Sequence, residues 1–303
     1  MIEVLRAGLC DLVMDLGRPG QGALGVPVGG AADPAALAAA NRLVGNAAEA
    51  AGLEITLSGP DLRFPQGGVV ALTGAQFTAS RSGSARVAWN ETLVLAAGET
   101  LTLGRAQEGC RCWLALRGGL AVTPVMGSRS TFQPAGFGGY RGRALQAGDA
   151  LPCEPVAGGA RLLRAHPPLR GTGPCLRVLA GPQTGHFDDS GLAAFFGSHY
   201  RVGPASDRRG VRLIGPAVTH ARVELPSQGV LPGAIQVPPD GQPIILGWDG
   251  PVTGGYPVIA GVIAADWPLL AQLRPGDVVG FATIGAEEAR ALAMDRWKIE
   301  GTE

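Results

Sequence analysis

The chain has 303 residues, of which 46% are hydrophobic and only 17% charged, with 25 acidic and 25 basic residues. This neutral balance lacks the basic surface that attracts nucleic acids or anionic membranes, so neither is an expected partner. Lys298 is the single lysine, which excludes a P-loop and makes Schiff-base catalysis in the body of the chain unexpected.

The amino-terminal residues predict a strand followed by a tight turn. Residues 2–16 alternate and then break at the sequence GRPG, residues 17–20. Asp15 can accept backbone N–H groups there or pair with Arg18, which are structural roles, whereas the functional alternative places Arg18 at the mouth of a site. The segment lacks the pattern of a signal peptide, and no run of about 18 apolar residues follows, so we expect a cytoplasmic protein.

Asp33 opens the clearest helix of the sequence. It is a suitable N-cap, Pro34 suits the first helical position, and Gly45 suits the stop. Asn41 interrupts the apolar face of this helix, and a buried amide needs a partner. We therefore interpret Asn41 as a structural hydrogen-bonding residue.

The next part of the chain predicts many short strands. From Leu53 to Leu103, β-rich runs recur about every ten residues between Gly-rich turns, which is typical of a barrel or a sandwich. A later strand ends in the polar group Ser128, Arg129 and Ser130. Hydroxyl and guanidinium groups at a strand end can bind a carboxylate, bicarbonate or phosphate, but a plain turn explains them equally well.

Composition then indicates where the domains divide. Residues 161–174 mix Gly, Pro and Arg without periodicity, so we predict a linker there between domains at 1–160 and 175–290. Both halves carry an Asp–Arg turn, D-x-G-R-x-G and S-D-R-x-G, which suggests two related β domains. The last segment, 286–303, has the polar amphipathic pattern of a helix. The five cysteines include no C-x-x-C, so neither a disulfide framework nor a bound metal is expected.

The stretch from Ser227 to Tyr256 is the strongest candidate for a site. It presents polar residues among Gly and Pro turns, between two apolar runs. The polar residues are Gln236, Asp240, Gln242, Asp249, Thr253 and Tyr256. A hairpin with polar turn residues is the structural alternative. The chain has no G-x-S-x-G or G-x-G-x-x-G motif, so the residues alone predict only a site for a small amide or carboxylate.

Several collinear blocks make the chain resemble a known family over nearly its whole length. They are residues 15–33, 40–46, 53–64, 127–131, 206–216, 233–246 and 253–267. The family is variously called allophanate hydrolase subunit 2, the C-type subunit of 5-oxoprolinase or biotin-dependent carboxyltransferase, and it includes an antagonist of a sporulation-kinase inhibitor. Met14 and Arg209 depart from its pattern, because Gln and Met are usual at these positions.

The resemblance implies a mainly β fold with a few short helices, built from two cyclophilin-like β-barrel domains. It also implies the C-type subunit of a bacterial 5-oxoprolinase, which opens 5-oxo-L-proline to L-glutamate. ATP would be held by the complex, with a B-type, kinase-inhibitor-like subunit and a LamB/YcsF-type subunit as partners. The alternatives are a carboxyltransferase that moves the carboxyl group of carboxybiotin to urea, and a regulatory protein that binds a kinase inhibitor. Biotin is expected only for the carboxyltransferase.

Within that resemblance, two groups of residues are the expected site. The predicted catalytic residues are Arg208, Asp207, Arg212, Gln236, Tyr256 and Asp249. Arginine and amide groups suit a developing oxyanion, and the two aspartates would orient the arginines or move protons. The predicted substrate-binding residues, which include an opposite wall at 128–130, are Ser128, Arg129, Ser130, Arg18, Ser206 and Ser227. None of these has the pattern of a covalent nucleophile, so ATP, carboxybiotin or a partner must supply the reactive group.

Overall fold

The chain divides into two compact units, each described by itself. The computed structural model describes residues 1–82, 85–154, 156, 159–167, 175–221, 225–293 and 298–301. Unit 1 comprises Met1–Arg18, Gly29–Pro168 and Arg296–Glu303, and unit 2 comprises Pro19–Val28 and Leu169–Asp295. The short segment 19–28 thus belongs to unit 2, although the chain on both sides of it belongs to unit 1.

Unit 1 is built mostly of short strands. In chain order they are β1 (Ile2–Arg6), β2 (Cys10–Met14), β3 (Gly52–Thr56), β4 (Asp61–Phe64), β5 (Gly68–Gly74), β6 (Phe77–Arg81), β7 (Ala85–Arg86), β8 (Thr92–Leu95), β9 (Glu99–Ala106), β10 (Arg111–Leu116), β11 (Ala150–Leu151) and β12 (Leu163–His166). All but β12 form a six-stranded sheet in the order β11-β1-β4-β9-β6-β7 and a five-stranded sheet in the order β2-β3-β10-β5-β8. These eleven strands thus make two sheets, where one barrel was expected.

The core of unit 1 lies between these two sheets. Val13, Leu53 and Leu114 come from the five-stranded sheet, and Leu62 and Leu101 come from the six-stranded sheet; all are fully or almost fully buried in one cluster. Alternate residues of each strand point inward, as the two-residue period of a strand requires.

One helix, α1 (Pro34–Leu43), packs on β5 and β10. The carboxylate of Asp33 accepts a hydrogen bond from Ala36 N at 3.0 Å, which confirms the predicted N-cap. Asn41 is fully buried and donates to Ala50 O at 2.7 Å, which confirms its structural role. The helix is also joined to the sheet, because Thr73 Oγ1 donates to its first turn at Ala36 O.

Unit 2 contains the closed barrel that the sequence led us to expect. Its strands are β13 (Cys175–Ala180), β14 (Tyr200–Val202), β15 (Gly210–Ile214), β16 (Gln228–Gly229), β17 (Ala234–Gln236), β18 (Ile244–Leu246), β19 (Thr253–Gly254), β20 (Val258–Val262) and β21 (Val278–Thr283). The barrel order is β13-β20-β17-β18-β15-β14-β21, and β16 and β19 form a separate two-stranded ribbon. Val178, Ile235 and Val279 fill its interior.

The remaining helices are short. They are α2 (Asp189–Gly197), α3 (Trp267–Ala271) and α4 (Ala286–Leu292), with 3-10 turns at Gly22–Leu24, Gln133–Ala135, Thr184–His186 and Ala264–Asp266. The mainly β prediction is therefore confirmed. No helix within the described ranges is long and apolar enough to cross a membrane.

The predicted domain boundary agrees with the division into units, whereas the predicted carboxy-terminal helix is wrong. The chain divides between Pro168 and Leu169, inside the predicted linker 161–174. That segment also contains strand β12, and its residues 168–174 lie outside the described residues. The predicted helix 286–303 ends at Leu292, and Lys298–Gly301 forms a further strand, β22, antiparallel to β12. The reason is tertiary: Ile299 packs against a buried cluster of unit 1 that contains Ala165. Residues 294–297 and 302–303 also lie outside the described residues.

Candidate functional site

A buried ion pair joins two turns of unit 2. Arg208, in the turn before β15, donates from Nε to Asp249 Oδ2 at 2.7 Å and from Nη2 to Oδ1 at 3.1 Å. The two side chains are only 8% and 2% exposed. The same turns are joined through their backbones, because Asp249 N donates to Arg208 O at 3.1 Å. A Cβ on Gly247 would lie 2.1 Å from Arg208 O, so this close approach requires glycine.

Asp207 holds a different arginine from the one expected. Its carboxylate accepts from Arg209 N at 2.8 Å and from Arg209 Nε at 2.9 Å, in a largely exposed pair. This hydrogen bond raises the pKa of the Arg209 guanidinium above its ordinary value. Arg209 is also one of the two positions that depart from the usual family pattern. The departure therefore gives Asp207 a partner two residues further along the same turn.

Ser206 stabilises the hairpin that presents Arg212. Its hydroxyl accepts from Arg212 N at 3.0 Å and donates to Arg212 O at 3.4 Å. Arg212 lies in β15 with its side chain exposed. Ser206 is thus engaged with backbone groups, while the guanidinium of Arg212 faces solvent and can reach a ligand.

Gln236 and Tyr256 lie together beside the ribbon of β16 and β19. Gln236 is 4% exposed, and its Nε2 donates to Tyr256 O at 3.3 Å. A Cβ on Gly254 would lie 2.5 Å from that nitrogen, so the glycine makes room for the amide. The side chain of Tyr256 is 45% exposed, and Ser227 is an exposed residue just before β16. Tyr256 therefore presents a ring and a hydroxyl to solvent next to a fixed amide.

In unit 1, the carboxylate of Asp15 accepts hydrogen bonds from the two serine hydroxyl groups that were predicted to bind substrate. Ser128 Oγ and Ser130 Oγ each donate to Asp15 Oδ1 at 2.6 Å. Arg129 N donates to Asp15 Oδ2 at 2.5 Å, and Gly17 N donates to Oδ1 at 2.8 Å. All three hydroxyl and carboxylate side chains are buried. This arrangement favours the structural turn over an anion site formed by the serines.

Arg18 does not lie at the mouth of a site, because its side chain is only 1% exposed. Its Nη2 donates to Ser130 O at 2.5 Å, and its guanidinium carbon lies 5.0 Å from the ring centre of Phe137. The nearby Arg129 is half-buried, and its Nε donates to Val122 O at 3.0 Å. A guanidinium that stacks on a ring and binds carbonyl groups fixes loops in place.

Comparisons with known proteins agree with the resemblance seen in the sequence. The family model described as carboxyltransferase domain, subdomain A and B, matches residues 24–283. The chain is 41% identical to the C-type subunit of 5-oxoprolinase from Escherichia coli (strain K12), over 98% of this chain and 95% of that protein. It is 34% identical to the urea amidolyase of Lachancea kluyveri, over 96% of this chain but only 17% of that protein.

A solved structure supports the same relation. The urea carboxylase of Kluyveromyces lactis superposes with a TM-score of 0.87 at 34% sequence identity, covering 95% of this chain and 28% of that one. At this identity and score, the likeness extends to both fold and sequence.

Proposed function

We propose that this chain is the C-type subunit of a 5-oxoprolinase complex. The premise is that the chain belongs to the family of carboxyltransferase domains with subdomains A and B. The complex would hydrolyse 5-oxo-L-proline to L-glutamate with ATP. The observation that carries this choice within the family is coverage: the relation to the Escherichia coli protein spans 95% of its length, whereas the relation to the urea amidolyase spans only 17%.

In this proposal the active site is shared with other subunits. A C-type subunit implies partners, and we expect a B-type, kinase-inhibitor-like subunit and a LamB/YcsF-type subunit in the cytoplasm. The single lysine, Lys298, gives no P-loop, so the complex as a whole holds ATP. ATP supplies the activation that a lactam carbonyl needs, because an amide carbon is a poor electrophile.

The contribution of this chain is to hold and polarise the substrate. Arg212, Tyr256 and Asp207 are the exposed members of the predicted catalytic set. Asp207 is paired with Arg209, whereas Arg212 and Tyr256 suit contact with an amide or a developing oxyanion. Arg208 and Asp249 neutralise each other in a buried pair, so they act as positioning residues that fix the two turns beside β15 and β18. Gln236, which is anchored on Tyr256 O, positions that tyrosine.

A second candidate is the carboxyltransferase reaction. The observation that favours it is the structural similarity to the urea carboxylase, whose TM-score is 0.87. Carboxybiotin and urea each present a planar ureido group, which the same arginine and amide groups can bind. Biotin is implied only under this candidate.

Reconstitution separates the two candidates. The chain is co-expressed with the proteins encoded beside it, and the purified complex is assayed for ATP-dependent glutamate release from 5-oxo-L-proline. A second assay offers urea, carboxybiotin and no 5-oxo-L-proline. We expect glutamate release that disappears when this chain is omitted. Full glutamate release without the chain would refute the proposal, and carboxylation of urea alone would replace it by the second candidate.

A further inference from the structure

A glycine-rich loop of unit 1 lines a cavity of about 400 Å³ that no predicted site residue accounts for. The loop is residues 136–142, directly after the 3-10 turn at Gln133–Ala135. The opposite wall is apolar and includes Val122, Val125 and Pro152. No acidic side chain is among the described residues that line the cavity. Its volume falls in the range of pockets that bind small molecules.

The backbone of this loop is held in an unusual conformation. Gly138, Gly139 and Gly142 have φ of 70°, 53° and 69°. A Cβ on Gly139 would lie 1.9 Å from Thr131 Oγ1, so tight packing fixes the loop there. In the described part of the chain, the N–H groups of Gly138 and Gly139 donate no hydrogen bond. Left-handed turns of this kind can direct neighbouring N–H groups toward one anion.

Arg141 adds a cation to the same cavity. Its backbone is also left-handed, with φ of 59°, which is uncommon for a residue with a side chain. Its guanidinium carbon lies 5.2 Å from the ring centre of Tyr140, and both residues line the cavity. Among the described residues, Arg141 forms no salt bridge, but after Arg143 its charge also helps to lower the pKa of Asp149. By contrast, Arg143 is neutralised by Asp149 at 2.7 Å.

We propose that this cavity binds a small monocarboxylate. The carboxylate of the ligand accepts hydrogen bonds from Arg141 and from the N–H groups of Gly138 and Gly139, and the compact body of the ligand packs against Val122 and Phe137. The cation, the unused donors and the apolar wall together suit a ligand with a negative head and a short apolar body. 5-Oxo-L-proline has this form, and naming it as the ligand rests on the proposed function; the molecule bound here is a second one, in addition to the molecule that Arg212 and Tyr256 of unit 2 contact.

Binding to the full-length chain tests the proposal by NMR, with the glycine amide signals as the readout. The probes are 5-oxo-L-proline, 2-pyrrolidinone, which lacks the carboxylate, and inorganic phosphate. We expect 5-oxo-L-proline to shift the Gly138 and Gly139 signals, 2-pyrrolidinone to leave them in place, and phosphate to bind more weakly. Equal binding of 2-pyrrolidinone, tighter binding of phosphate, or no shift with 5-oxo-L-proline would each overturn the proposal.

A matched pair of variants locates the cation. Arg141→Gln should weaken binding of 5-oxo-L-proline at least about tenfold, as the loss of a charge-assisted hydrogen bond predicts. Arg105→Gln, at another exposed arginine of unit 1, should leave the dissociation constant unchanged. Unchanged binding by Arg141→Gln, with the wild-type spectrum elsewhere, would refute the assignment.

The two proposals fail in different ways. If the chain binds 5-oxo-L-proline through Arg141 but the reconstituted complex releases no glutamate, the unit 1 site stands and the proposed function falls. If the complex releases glutamate and Arg141→Gln leaves the dissociation constant of 5-oxo-L-proline, read from the glycine amide signals, unchanged, the proposed function stands and the unit 1 site is refuted.

Discussion

The buried pair of Arg208 and Asp249 offers the sharpest test of how the unit 2 site is held. Arg208→Ala removes a bidentate partner and leaves the Asp249 carboxylate in a place that is only 2% exposed. Breaking a buried pair in this way costs about 3–5 kcal/mol, because the remaining charge has lost both its partner and its water. At roughly 2–4 °C per kcal/mol, we expect the unfolding temperature to fall by about 10 °C.

A double variant separates the charge effect from the loss of packing. Arg208→Met with Asp249→Leu removes both charges and keeps apolar volume, and such replacements are often neutral or stabilising. We therefore expect the double variant to recover most of the unfolding temperature that Arg208→Ala loses. Because we propose that the pair only positions the two turns, the reconstituted complex should also recover most of its glutamate release.

Thermal unfolding by calorimetry and turnover in the complex are measured on the same preparations. A single variant that unfolds within about 2 °C of wild type, where about 10 °C is expected, would show that the pair does not hold the turns. A double variant that is stable but inactive would assign Arg208 a direct role in the reaction.

Three further predictions follow from other sites. Arg212→Ala should change the free energy of unfolding by less than about 0.5 kcal/mol, because the side chain is exposed. The same variant should lower glutamate release about 100-fold or more. Unchanged turnover would show that Arg212 does not belong to the site. Asp11 is 1% exposed, and burial raises its pKa from 3.8 to about 6. Folding favours the neutral form of the Asp11 carboxyl group. Its favourable contribution to the free energy of unfolding is therefore present below about pH 4 and is lost as the pH rises through about 6. Asp11→Asn should therefore stabilise the protein by roughly 3 kcal/mol at about pH 7.5 and little at about pH 4, measured by denaturant unfolding; an equal effect at both pH values would contradict this. Asp33→Ala should cost about 1 kcal/mol by loss of the helix cap, whereas Asp33→Ser keeps a capping oxygen and should unfold close to wild type.

Local signals explain the parts of the fold that the sequence could predict. Asp33 and Pro34 define the start of α1, because a cap and a fixed φ act within a few residues of chain. Asn41 was recognisable as structural because a polar group on an apolar helix face must find a partner. The many short strands were visible in the spacing of β-branched runs and glycine turns, although that spacing does not tell two sheets from a barrel.

Long-range partners explain what sequence reasoning missed. Asp15 takes the hydroxyl groups of Ser128 and Ser130, more than a hundred positions away, and no local pattern shows that these serines are already in use. Arg18 looked accessible because it stands in a turn, yet its guanidinium is buried against Phe137. The cavity at Arg141 was missed for a related reason: its donors are backbone groups, and only the positive φ values of the loop reveal them.

The pairing of β12 with β22 has a consequence for how the protein is made. His166 lies opposite Lys298, so the strand that completes this ribbon of unit 1 leaves the ribosome only after the whole of unit 2 has been synthesised. Until then, the edge of β12 and the apolar cluster beside Ala165 lack their cover. Domains generally fold in order of synthesis, and exposed strand edges invite aggregation. Unit 1 thus begins to fold first but is completed last. Slow translation would prolong the exposure of β12 and its apolar cluster, and rapid folding of unit 2 would shorten it.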